Sequence, residues 1–379
     1  MFACTSGAGH FHPMVPFIDA CRRDGHEVLV IGPPPLAETV QRAGYPWWVG
    51  AAPPEDELGQ VWARVPGLSY DDAEQLVIGT IFATLNVRAM LPATRAAVRE
   101  WRPDVIVREP AEFASAVVAE EASVPHAQVA IGLVATQQQM LSIASDAVET
   151  WSAGLTDAIA QTPSLTLFPA SLEDPAVVGT GLTHRFRDPA ADAPRAPLQD
   201  WWAGDDRPLV YVTFGSVTAS VPTAAPIYDV AFAAVAELPA RVLLTTGAGE
   251  PLAAPGPHVH VERWVPQADV LAHARVVVCH GGAGTTLGAL AAGVPLVVTP
   301  LFADQPHNGR RVAAAGAALL VEPHEAGAIR SAVDPAELRA AIDTVLGDVG
   351  FERAAGDIAA EIRALPEADD ALPVLAALT

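Results

Sequence analysis

Residues 280–286, His-Gly-Gly-Ala-Gly-Thr-Thr, join an apolar run to a stretch of small residues. The run RVVVC ends at Cys279 and predicts a strand, while Thr285–Ala292 predicts a helix closed by Gly293. The first amides of such a helix have no internal partner, and its dipole places about half a positive charge there. An end of that kind holds an anion. Gly281, Gly282 and Gly284, with Ala283 among them, let the backbone turn sharply and let a ligand come close. The His280 imidazole and the Thr285 and Thr286 hydroxyls add donors. The same residues also suit a strand–turn–helix whose glycines satisfy only turn geometry, so the neighbours decide.

Three neighbouring stretches favour a ligand. RWVPQADVL (263–271) follows an apolar run and places Trp264, Val265 and Gln267 at a strand end. Trp264 suits stacking on a flat base, and Gln267 suits hydrogen bonding to the base or a ribose. FADQPHNGRRV (302–312) supplies Asp304 and Gln305, both suited to sugar hydroxyls. TFGS (213–216) brings the Gly215–Ser216 backbone and the serine hydroxyl to a phosphate. Base, diphosphate and sugar each find a partner.

These residues need a scaffold that gathers strand ends. A chain of 379 residues, 51% hydrophobic and 17% charged, has the composition of packed domains, and its length suggests two. In the first half a short run, Phe2–Cys4, leads through TSGAGHFHP to a helix-like segment ended by Gly25. EVLVIG (27–32), DVIVRE (104–109) and HAQVAI (126–131) read as buried strands, with helices at 71–100 and 111–122. The second half restarts at 209–216 and repeats the alternation at 240–247, 258–265, 275–282, 294–300 and 317–323. Strands alternating with helices imply parallel, doubly wound sheets, and ligands of such sheets lie beyond the strands' carboxyl ends. The ligand is therefore expected in a cleft between the halves. The Pro/Asp-rich segment 185–208 reads as the connector, giving domains at 1–190 and 205–379, with a helical tail over 351–379 that packs back on the first domain.

Composition removes several function classes. A net charge of −22 argues against nucleic acid or an anionic membrane as partner. There is no lysine, so all 22 basic residues are arginines, which excludes a Walker-type lysine and Schiff-base chemistry. No continuous apolar run reaches spanning length and the N-terminus lacks signal-peptide features, so a cytoplasmic protein is expected, as a monomer or homodimer. Cys4, Cys21 and Cys279 read as buried free thiols. No Asp-x-Asp at a strand end and no Cys/His cluster suggests a metal, and no cofactor is implied.

The order TFGS, WVPQ, HGGAGT, DQ closely resembles the donor-binding half of the family 1 glycosyltransferases, strongly over 205–320 and more loosely elsewhere. The resemblance implies the GT-B architecture of two facing Rossmann-like domains and inverting, metal-independent transfer from a nucleotide-diphosphosugar. GHFHP (9–13) resembles the family's GHxxP segment, whose histidine is the catalytic base; here that is His10. His12 is taken as lining the pocket. Many members place an aspartate at the end of the PDVIV strand to hold this histidine. Here Glu109 matches that position and Glu112 is close by, so either residue, or neither, is the partner. Trp62, Phe82 and Met140 are candidates for contacting an apolar acceptor, with Met90 and Leu133 in the same class; ordinary core is the competing reading. The likeness is greatest to bacterial enzymes that decorate natural products, which favours a dTDP-deoxysugar donor, with a UDP-sugar second. The first strand is short for the family, as if residues preceded Met1.

Two rivals remain. A nicotinamide-dependent dehydrogenase is disfavoured, because TSGAGH is not G-x-G-x-x-G and EVLVIG ends in no acidic residue. A non-catalytic protein of the same fold is disfavoured by the intact His10, although the missing aspartate speaks for it.

Overall fold

The computed structural model describes all residues except 177–181, 248–251 and 326. The chain divides into two compact units, Met1–Ala190 with Leu365–Thr379, and Ala191–Ala364. The tail after Ala364 thus belongs to the first unit, and the change of unit falls inside the expected connector. Much of that connector is docked. Trp201 stacks on His260 with ring centroids 4.4 Å apart, and Trp202 Nε1 donates to the His258 carbonyl at 3.0 Å.

The first unit carries seven parallel strands: β1 (Phe2–Ala3), β2 (Val30–Gly32), β3 (Trp47–Val49), β4 (Ile106–Arg108), β5 (His126–Val129), β6 (Ser164–Thr166) and β7 (Thr183–Arg185). Their order is β3-β2-β1-β4-β5-β6-β7. The strand order reverses between β1 and β4, the topological switch point where such sheets bind ligands. Side chains of β1 alternate across the sheet as pleating requires. Phe2 and Cys4 join a cluster with Phe17, Val30 and Val107, while Met1 and Ala3 join Ile31, Met90 and Phe113 on the other face. The first cluster also takes Ala371 and Leu375 from the tail.

The second unit has six parallel strands: β8 (Leu209–Thr213), β9 (Arg241–Thr245), β10 (Val259–Glu262), β11 (Ala274–Cys279), β12 (Leu296–Val298) and β13 (Ala318–Leu320). Their order is β10-β9-β8-β11-β12-β13, which puts the switch point between β8 and β11. The inner strands β8, β9, β11 and β12 are largely buried, so they read as apolar runs, whereas the edge strand β10, Val-His-Val-Glu, is mostly half-buried.

One helix of the first unit is unusually long. Tyr70–Leu76, Val77–Asn86 and Val87–Trp101 form one continuous 32-residue helix with an 18-residue window of mean hydropathy 1.5, long and apolar enough to cross a membrane by that measure. Its middle third, Val77–Asn86, is a π-helix, a rare geometry. In the first unit Ile78, Ala83, Val87 and Met90 pack into the core, and Trp151 Nε1 donates to the Ala83 carbonyl at 2.8 Å.

Candidate active site

In the first unit, a turn at Gly7 (φ +115°) leads from β1 into a four-residue helix, Ala8–Phe11. His10 therefore lies on a short helix rather than in the expected loop. Because Ala3 pairs with Arg108 across the sheet, the residues following β1 and β4 meet. His10 Nδ1 lies 3.1 Å from Glu109 Oε2. The carboxylate is fully buried and well provided with donors. Its Oε1 accepts from the Thr5 amide at 3.1 Å and the Thr5 hydroxyl at 2.8 Å, and its Oε2 from the Ala111 amide at 2.7 Å. Burial pushes the Glu109 carboxyl up, but the His10 charge and hydrogen bond, with Ala111 and Thr5, outweigh it and hold the group below its ordinary value. The His10 side chain stays 22% exposed, and the Phe82 ring lies 5.8 Å from it, tilted by 60°.

Glu112 has a different fate. It is buried, and its Oε2 accepts from the Ser115 amide at 3.0 Å and from the Ser115 hydroxyl. Burial pushes its carboxyl above the ordinary value. One turn thus holds two carboxyls driven apart in acidity, a pattern that separates an ionised role from a neutral one. Of the two candidate partners it is Glu109, and not Glu112, that lies against His10; Glu112 Oε2 is taken by Ser115. Met140 packs partly buried on the core, and Leu133 and Met90 are buried more deeply. His12 opens a 3₁₀ turn, His12–Met14, and Trp62 ends the helix Glu55–Trp62 half exposed.

In the second unit, the helix after β11 runs Ala283–Ala291, two residues earlier than expected. Gly282 caps it, so the amides without an intrahelical partner are those of Ala283, Gly284 and Thr285. The turn before it has no room for side chains. A Cβ on Gly282 would lie 2.5 Å from His280 Nε2, and one on Gly215, at φ +77°, 2.9 Å from the same atom. The His280 ring is thus wedged between the turns that end β8 and β11. Its Nδ1 is buried with no hydrogen-bond partner among the described residues, and burial lowers its pKa to about 4. At neutral pH it is an uncharged imidazole, so positive potential in this turn comes from the helix end.

Gln267 opens the helix Gln267–Leu271 and meets the Thr285 hydroxyl at 3.5 Å. Trp264 is 73% exposed and borders a recess of about 230 Å³ with Val265, Pro266, Leu198 and Trp201. Ser216 is exposed after β8. Asp304 precedes the helix Gln305–Ala314 and accepts from Asn308 Nδ2 at 2.7 Å. Gln305 is buried, and its Oε1 already accepts from the Leu301 and Phe302 amides at 2.9 and 3.1 Å, which takes that oxygen out of sugar recognition.

Three contributors escaped the sequence reading. Thr5 and Arg108 build the setting of Glu109, and Asn308 ties Asp304 to the Gly281 carbonyl at 2.9 Å. An arginine inside the apolar run DVIVRE was the available signal for Arg108, and the four-residue spacing Asp304–Asn308 for the last. Among the described residues no His/Cys/Asp/Glu group has the arrangement of a metal site.

Two doubly wound units, each with polar groups at its switch point, define the class as a GT-B protein. Residues 184–355 match the family described as UDP-glucoronosyl and UDP-glucosyl transferase, and 19–222 match the erythromycin biosynthesis protein CIII-like N-terminal domain. The elloramycin glycosyltransferase ElmGT of Streptomyces olivaceus is 32% identical over 400 residues, spanning 97% of this chain and 94% of that one. The L-demethylnoviosyl transferase of Streptomyces niveus is 32% identical over 90% of this chain and 88% of its own. The structure of the spinosyn rhamnosyltransferase SpnG complexed with thymidine diphosphate superposes with a TM-score of 0.74 at 22% identity, over 99% of each chain. The chain belongs to the family 1 glycosyltransferases, among the natural-product enzymes of antibiotic pathways.

Proposed function

We propose that the chain transfers a sugar, preferably a deoxysugar from a dTDP donor, to a hydroxyl of an apolar natural-product acceptor, with inversion and without a metal. The observation that carries the reading is the His10–Glu109 contact: a partly exposed imidazole backed by a buried carboxylate held in its ionised form. With Nδ1 on the carboxylate, Nε2 takes the acceptor proton as the acceptor oxygen bonds to the anomeric carbon. The bond from that carbon to the diphosphate breaks, and its electron pair leaves with the diphosphate. Glu109 stabilises the imidazolium that forms, a service of the kind carboxylates give catalytic histidines. The charge growing on the diphosphate falls to the Ala283–Thr285 amides and the neutral His280 imidazole, preorganised donors that need no cation. The thymidine diphosphate bound by SpnG supports the choice of nucleotide.

The test is nucleotide diphosphate release from a panel of dTDP- and UDP-sugars with the native chain, His10→Ala and His280→Ala. His10→Ala should lower kcat by ~10²–10⁴ with little change in donor KM. A His10→Ala variant that retains native kcat overturns the reading.

A further inference from the structure

Arg108 is a buried charge that the transfer outlined above does not use. It is among the largest side chains wholly removed from solvent, at the point where β4 gives way to the Glu109 turn. Among the described residues no carboxylate oxygen lies within ion-pair distance of it. Its Nη1 is shared by the carbonyls of Glu109, Pro110 and Glu112 at 3.3, 3.4 and 3.4 Å. Its Nη2 reaches Gln128 Oε1 at 3.3 Å, on the neighbouring strand and in register with it. A guanidinium withdrawn from water is costly unless its donors are used; here both Nη atoms are engaged, while the buried Nε has no partner among the described residues. The charged and titratable groups around it are Glu109 and Glu112 on its own turn and His126 on β5; Cys4 on β1 faces both glutamates.

The polar atoms of the turn are thereby sorted. Carbonyls point to Arg108, while the Ala111 amide points to Glu109 Oε2 at 2.7 Å. The Pro110 carbonyl and the Ala111 amide belong to one planar peptide unit, so they face opposite ways and turn together. Holding one end of that plate aims the other.

We propose that Arg108 is a positioning residue for sugar transfer: by gripping the Pro110 carbonyl it directs the Ala111 amide onto Glu109 and so fixes the carboxylate against His10. The proposal rests on the reading of His10 and Glu109 as the base and its support. Lysine keeps the charge but offers one compact ammonium in place of a planar fork, and methionine offers neither.

The experiment is a double-mutant cycle on full-length protein, with kcat, KM and Tm measured for Arg108→Met, Arg108→Lys, Glu109→Ala and Arg108→Met/Glu109→Ala. Arg108→Met should lower kcat ~10-fold or more with both KM values within about twofold, and the same change in the Glu109→Ala background should lower it less than about twofold, as expected for groups in one network. Arg108→Lys should fall between. Equal losses in both backgrounds, or an unchanged kcat in Arg108→Met, overturn the proposal. If Arg108→Met does not fold, Gln128→Leu removes only the Nη2 anchor and carries the same cycle, with a kcat loss of ~3-fold that vanishes in Glu109→Ala as the expected result and an additive loss as the refutation. His10→Ala separates the two ideas. Its activity loss with additive Arg108 effects sinks the positioning role alone, and retained activity sinks the base itself.

Discussion

Replacing Glu109 by glutamine puts the proposed chemistry under direct strain. The carboxylate serves four groups: the Thr5 amide and hydroxyl, the Ala111 amide and the His10 ring. A glutamine amide has a single acceptor oxygen, so it can serve the Thr5 pair or the Ala111–His10 pair but not both. The orphaned buried donor costs about 1–3 kcal/mol, which for a unit of this size lowers Tm by roughly 2–12 °C. The kinetic effect has another source. A unit charge 3.1 Å from an imidazolium is worth about 5 kcal/mol at an effective dielectric near 20. If about half of that is gained only as the imidazolium forms, kcat falls roughly 100-fold, since each 1.4 kcal/mol is tenfold. Steady-state release of nucleotide diphosphate gives kcat and both KM values, and thermal denaturation gives the stability change. A Glu109→Gln protein that melts lower yet keeps kcat within about threefold of native refutes the reasoning, because the carboxylate would then serve only the fold.

Three further outcomes are expected. Trp264→Ala should weaken thymidine or uridine diphosphate binding ~5- to 100-fold by calorimetry, the range for loss of base stacking, while Tm stays within about 1 °C because the ring is 73% exposed. His126 is held neutral to about pH 3 by burial and by the Arg108 charge, despite Glu120 at 3.3 Å. Its unfolded value is near 6.5, so its contribution to stability is whole above pH 6.5 and erodes as the pH falls toward 3, by at most about 1.4 kcal/mol per pH unit. Urea midpoints for native protein and His126→Gln at pH 7.5 and 5.0 check this: the variant should show the smaller drop, and an equal drop rejects it. Gly281→Ala should cost about 2 kcal/mol or more, since φ is +86° and the new Cβ would lie 2.8 Å from Val298 Cγ1; Gly284→Ala, with open space around it, should leave Tm near native.

The parts of this fold that sequence reasoning reaches are those buried on both sides. The runs giving β8, β9 and β11 are predominantly apolar because helices cover both faces of the sheet over most of their length. The strands it misses lie toward the margins of the first sheet. β3 and β7 are its half-exposed edges, Trp-Trp-Val and Thr-His-Arg, and β6 is three residues between prolines. Each is only three residues long, too short for its pattern to stand out from the surrounding chain. The π-helical turn at 77–86 is equally silent, because its period differs from the 3.6 residues that sequence patterns register. At the site, motif spacing brought His280, Gly282 and Thr285 into one group because they are adjacent in the chain. His10 and Glu109 are far apart in sequence, and their contact depends on β1 lying beside β4. The choice between Glu109 and Glu112 turned on which side chain the Ser115 amide and hydroxyl capture, a matter of local backbone direction.

The tail carries a practical lesson for exchanging halves between relatives. Leu365–Thr379 is grouped with residues before Ala190, through Arg23–Asp369, Arg187–Glu367, and Leu375 beside Phe17 and Phe186. A chimera spliced at a single junction would graft foreign residues into its own hydrophobic interior, leaving both donors' packing mismatched. Two splice points, near 190 and 364, keep each parent's interior intact, so hybrids should be drafted as an inserted central cassette rather than as a front and a back.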